Sequence, residues 1–129
     1  MRHLITVMML VVGVIHLLPL PGVLGAESLA ALYGLDFRDA NLTILMRHRA
    51  ILFGMLGAFC VAAAFRRQWQ VPAALAAGIS LLSFLLLAMT SEGYNAAIGR
   101  VVTADIVALA CLLVAVPALR WTRRQTGDS

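Results

Sequence analysis

Apolar residues along this chain gather in four long runs, at 4–20, 42–65, 73–89 and 97–119, parted by short polar segments. Each run approaches or exceeds the ~20 apolar residues that a helix needs to cross a bilayer. Pro19 and Pro21-Gly22 close the first run, Arg66-Arg67 closes the second, and the loop 90–95, with Gly93 and Asn95, closes the third. Proline and glycine end helices because one lacks an N–H and the other tolerates turn geometry. The pattern predicts an all-α fold, an integral membrane four-helix bundle forming one domain over 1–129.

Residues 25–41 break the rule of continuous apolarity. Glu27 to Tyr33 reads either as a short interfacial helix between helices 1 and 2, stopped by Gly34, or as an ordered loop. Asp39 or Asn41 fits the N-cap of the second span. Within that span Ala50, Gly54, Ala58 and Ala62 recur every four residues. Small side chains at this spacing let helix backbones approach in lipid, so the stripe reads as a helix-packing surface, within one chain or in a homo-oligomer. Trp69, Gln70 and Pro72 read as a turn with an interfacial tryptophan, the fourth span is expected to end at residues 117–121, and the tail 123–129 is expected to lack order.

Composition sharpens the class. Hydrophobic residues make up 62% and charged residues 12% of the chain, and the mean hydropathy is +0.94. Soluble domains sit near 45–50% and 25%, so the lipid bilayer is the expected partner. The net charge of +4 comes entirely from arginines beside apolar runs. That placement is topological, and no basic face with interleaved aromatics exists to bind nucleic acid. Cys60 and Cys111 lie inside apolar runs without a pairing motif, and no disulfide is expected. The basic start and the small residues at 23–26 also fit a signal peptide; His16 is foreign to a signal core and favours a retained helix.

Four spans place the N-terminus, the second loop and the C-terminus on one side. That side carries Arg2, Arg66, Arg67, Arg120, Arg123 and Arg124, against Arg38, Arg47, Arg49 and Arg100 opposite. Basic residues set orientation, so both termini are expected in the cytoplasm and the protein in a bacterial inner membrane. Counted at ~1.5 Å per helical residue from the nearest cytoplasmic arginine, Arg49 lies ~26 Å away, Ser83 ~24 Å, Asp105 ~22 Å and His16 ~21 Å. Arg47 and His48 sit slightly farther out, and Tyr94 and Asn95 border the same level.

These residues form the expected polar layer: His16, Arg47, His48, Arg49, Ser83, Tyr94, Asn95 and Asp105. A charge inside a span costs roughly 2.5–3.5 kcal/mol at mid-bilayer, so Asp105 calls for a partner. Helical phase places Arg47 near the face of Ala50 and Gly54, which makes it the arginine expected to point inward. The bland reading is that the layer staples the helices and snorkels. The functional readings are a small-molecule site, a surface for a membrane partner protein, or a membrane enzyme or proton-coupled transporter using Asp105 and His48 on a lipid-like or quinone-like substrate. Two histidines and an aspartate come from three helices without a ligand-spacing motif, so no metal and no cofactor is assigned.

The segments His16-Leu17-Leu18-Pro19, Leu32-Tyr33-Gly34-Leu35, residues 46–54 from Met46-Arg47-His48-Arg49 to Gly54, and Tyr94-Asn95 through Asp105 carry a resemblance. Over most of its length the chain resembles a family of small four-helix bacterial membrane proteins, which implies the fold and no established activity. Chains similar to it are sometimes labelled phosphopantetheine adenylyltransferase, a soluble α/β enzyme with a His-x-Gly-His motif. His3, His16 and His48 cannot form that motif. Small multidrug transporters are of similar length, but they rely on an acidic residue in the first span, where this chain has only His16.

Overall fold

A computed structural model describes residues 1–127. Five α-helices occur among them: α1 (Arg2–Leu17), α2 (Ala26–Tyr33), α3 (Ala40–Phe65), α4 (Arg67–Thr90) and α5 (Ala96–Thr126). A 3-10 turn over Leu20–Leu24 prolongs α1. Four segments, Arg2–Leu24, Ala40–Phe65, Arg67–Thr90 and Ala96–Thr126, are long and apolar enough to cross a membrane.

The four long helices pack in the cyclic order α1, α3, α4, α5, with α1 and α4 barely touching across the diagonal. Short connections make α3, α4 and α5 antiparallel in turn, α1 runs against α3, and the N-terminus, the α3–α4 joint and the end of α5 share one end. The Thr6 hydroxyl donates to the Ala64 carbonyl there, and Arg67 donates to the Thr122 carbonyl and the Thr126 hydroxyl. The opposite end is roofed by the 3-10 turn and α2, which pack on each other and on α3.

The core reflects a chain that packs by close approach rather than by bulk. Ile5, Met9 and Val12 of α1 meet Cys60 and Ala63 of α3, Ala77 and Leu81 of α4, and Ala108 and Leu112 of α5. Outside this core the large apolar side chains point outward, with Ile79 71% and Leu113 65% exposed. In water such a surface would drive aggregation; in lipid it is the solvent-matched face. A smaller cluster of Leu29, Tyr33 and Phe37 fixes the roof.

Local signals explain the ends. Asp39 caps α3, its Oδ1 accepting from the Asn41 N–H at 2.8 Å. Asn95 caps α5, its Oδ1 accepting from the Ile98 N–H at 2.9 Å. Of the two readings of residues 27–33, the helix is the one that forms, and Gly34 stops it at φ 64 in the left-handed region that favours glycine.

Three expectations need correction. Trp69, Gln70 and Pro72 are not a turn but the opening of α4. Pro72 forgoes only the bond to the Gln68 carbonyl, within two turns of the helix start. Pro117 does not end the fourth span, and helix continues to Thr126, so residues 123–126 of the expected disordered tail are helical; Asp128 and Ser129 lie outside the described residues. Finally, the small-residue stripe does not keep to one face: Ala50 and Gly54 are buried, Ala62 is half-buried and Ala58 is exposed. A step of four residues overshoots a 3.6-residue turn by ~40°, so three steps carry the stripe about a third of a turn off the contact. Gly57 takes up the contact, against Gly13 of α1.

Candidate functional site

The polar groups that converge do so beneath the roof. Arg49 sits one residue before the buried Ala50 and therefore ~100° around α3, toward α2 and α4. Its Nη1 donates to the Tyr33 hydroxyl at 2.6 Å. The guanidinium lies 4.5 Å from the centroid of Phe53, one turn along the same helix, and 5.8 Å from that of Phe84 on α4. Aromatic faces attract a cation electrostatically, so a charge that would be expensive in hydrocarbon is housed by three rings and one hydroxyl.

On the far side of Phe53 lies His16, its ring 5.6 Å away and tilted by only 19°. His16 is 1% exposed. Its Nδ1 is 2.9 Å from the Val12 carbonyl, which can only accept, so Nδ1 carries the proton. In the neutral ring Nε2 is then left to accept from the Ser80 hydroxyl, 3.3 Å away on α4. A continuous line of contacts runs Ser80, His16, Phe53, Arg49, Tyr33, and it ties α4, α1, α3 and α2 together.

Asp105 is 6% exposed, and among the described residues no hydrogen bond or ion pair reaches its carboxylate; the ion pair formed there is Arg38 with Asp36, at the surface. Asp105 faces a cavity of about 270 Å³ between α1, α3 and α5. Arg49, Arg100 and Phe53 share that lining, and Ile15, Leu18 and Pro19 give it an apolar wall. Two arginines and one aspartate in a lining with an apolar wall suit a small amphipathic group with an acceptor for the arginines and a donor for the acid.

The remaining expected residues lie elsewhere. Arg47 is exposed, and its Nε donates to the Val23 carbonyl at 2.8 Å. Its phase toward Ala50 and Gly54 is as expected, but at that height the neighbour is the 3-10 turn and not the core, so Arg49 and not Arg47 points inward. His48 is exposed and does not line the cavity. Ser83 is exposed and returns its hydroxyl to its own helix, at the Ser80 carbonyl. Tyr94 is 48% exposed. Asn95 acts structurally, capping α5 while its Nδ2 donates to the Tyr33 carbonyl at 2.8 Å.

Sequence reasoning missed Tyr33, Phe53 and Ser80. The i,i+4 spacing of Arg49 and Phe53 was a usable signal. The Tyr33 and Ser80 contacts join residues 16 and 64 positions apart and leave no local trace. Among the described residues no three His, Cys, Asp or Glu side chains gather as a metal site would require. Both cysteines are free. Compared with known proteins, the chain gives no significant match to a family model, to a curated protein or to a solved structure.

Proposed function

We propose that this multi-pass membrane protein is a non-enzymatic binder, of a bacterial inner membrane with both termini in the cytoplasm, whose Asp105 cavity holds the head of a lipid-like or quinone-like amphiphile. The observation that carries this reading is Asp105 itself: a buried carboxylate with no protein partner among the described residues, aimed into a cavity shared with Arg49 and Arg100. No buried side-chain polar atom lacks a partner among the described residues, so the Asp105 oxygens stay accessible, and a ligand donor would offset the cost of a carboxylate at that depth. Six arginines against four support the orientation, which turns the cavity toward the periplasmic leaflet. The resemblance to small four-helix bacterial membrane proteins supports the same setting.

The enzyme or transporter reading that joined Asp105 to His48 loses its second residue, because His48 is exposed and away from the cavity. Extraction of the protein purified in mild detergent, followed by mass spectrometry, tests the binder reading. A near-stoichiometric amphiphile is expected in the wild type and in Ser83→Ala, and its loss in Asp105→Asn and Arg49→Gln. A wild type that carries nothing, or an Asp105→Asn variant that keeps its molecule, overturns it.

A further inference from the structure

At the opposite end of the bundle, where the termini and the α3–α4 joint meet, lies a second cavity of about 220 Å³. Arg2 of α1, Arg67 of α4 and Arg123 of α5 line it, and no acidic residue does. Three cations from three helices around one opening repel one another, and nothing in their topological role requires that they share a concavity. Gln70 also lines it and is only 8% exposed. Among the described residues the Gln70 amide forms no hydrogen bond and no buried side-chain polar atom lacks a partner, so its polar atoms stay accessible although the residue as a whole is buried. An accessible amide without a protein partner on a cavity wall is available to a ligand placed there.

We propose that this cavity binds a phosphate group, the phosphate of an anionic phospholipid headgroup or the free ion. Arginine forks match phosphate oxygens in pairs, and the Gln70 N–H supplies a neutral donor from the floor. Arg67 is already oriented by the Thr122 carbonyl and the Thr126 hydroxyl, which leaves its remaining N–H groups directed by the protein rather than by solvent. Ile5, Phe65 and Leu119 in the same lining give an acyl-bearing molecule an apolar flank. The site is separate from the Asp105 cavity and does not rest on the binder reading.

The test is native mass spectrometry of the full chain, delipidated in a nonionic detergent and titrated with phosphatidylglycerol, with diacylglycerol and with inorganic phosphate. One phosphatidylglycerol per chain is expected to bind and diacylglycerol to fail. Competition by inorganic phosphate identifies the free ion as the recognised species; its failure to compete identifies the headgroup. Arg123→Gln and the charge-conserving Gln70→Leu should each weaken binding about tenfold, the size of one hydrogen bond to a charged group. Arg124→Gln removes the same charge from an exposed position outside the cavity and should leave binding unchanged. Where Arg123→Gln fails to fold, as judged by helicity and monodispersity, Gln70→Leu carries the comparison. Absence of binding, equal binding of diacylglycerol, equal loss in Arg124→Gln, or no loss in Gln70→Leu overturns the proposal.

Discussion

Gly13 and Gly57 meet backbone to backbone: a Cβ on Gly57 would stand 2.8 Å from the Gly13 carbonyl oxygen and 2.7 Å from Leu17 Cγ. In lipid, where apolar surface gains nothing by leaving water, such close approach supplies the dispersion contact that holds α1 on α3. Gly57→Ala is therefore expected to destabilise the bundle by about 1–3 kcal/mol, since backbone cannot step aside as a side chain can. Gly78→Ala, whose Cβ would meet only Leu112 Cδ2 at 3.4 Å, should stay within about 1 kcal/mol of wild type or gain helix stability. Thermal unfolding of both variants in one detergent measures the difference, and equal losses would sink the packing account.

The Arg49 to Tyr33 bond ties a spanning helix to the roof side chain to side chain, beside the bonds of Arg47 to the Val23 carbonyl and of Asn95 to the Tyr33 carbonyl. Tyr33→Phe and Arg49→Met should each destabilise the protein, and their double mutant should fall short of the sum by about 1–2 kcal/mol, the coupling of one charge-assisted hydrogen bond. Additive losses would mean that Arg49 is held by its aromatic neighbours alone.

His16→Phe keeps a ring against Phe53 but discards both nitrogen contacts. A cost of about 1–2 kcal/mol is expected, against less than about 1 kcal/mol for Ser80→Ala, whose hydroxyl stands at a long 3.3 Å. Chemical denaturation in detergent ranks the two; a larger loss in Ser80→Ala would contradict the proton placement argued for His16.

The opposed ends of the bundle set accessibility. In a chain with Cys60→Ala and Cys111→Ala, a membrane-impermeant maleimide should label Glu92→Cys in intact cells and Gln125→Cys only after permeabilisation. The reverse pattern would invert the proposed orientation, and labelling of both from one side would deny that α5 crosses the bilayer.

Sequence alone carried the architecture far and the site only part of the way. The four apolar runs, the Gly34 stop and the Asp39 cap are signals spelled out within a few residues, because bilayer thickness and capping chemistry act locally. Pro72 and Pro117 misled because a proline near a helix end, or in a span packed by neighbours, forfeits one bond that other groups replace. Depth counting put His16, Arg49 and Asp105 at one level, yet it could not tell Ser83 from Ser80 or Arg47 from Arg49. Those pairs differ in azimuth against a neighbour, and azimuth depends on which helix stands beside which. The unpartnered Gln70 was hidden for the same reason: read as part of a turn, it had no interior to face.

A single residue, Arg66, separates the end of α3 at Phe65 from the start of α4 at Arg67. Two helices of 26 and 24 residues so joined have no slack between them. They enter the bilayer as one hairpin, pinned at its bend by Arg66 and Arg67 and by Trp69 packed on Phe59. At ~1.5 Å per residue the longer arm spans about 39 Å, more than the ~30 Å of hydrocarbon. An arm longer than the hydrocarbon core is accommodated by tilt, and with no slack at the bend the two arms tilt together. Arg49 lies on the free part of the α3 arm, so its height in the membrane is set from the bend at Arg66.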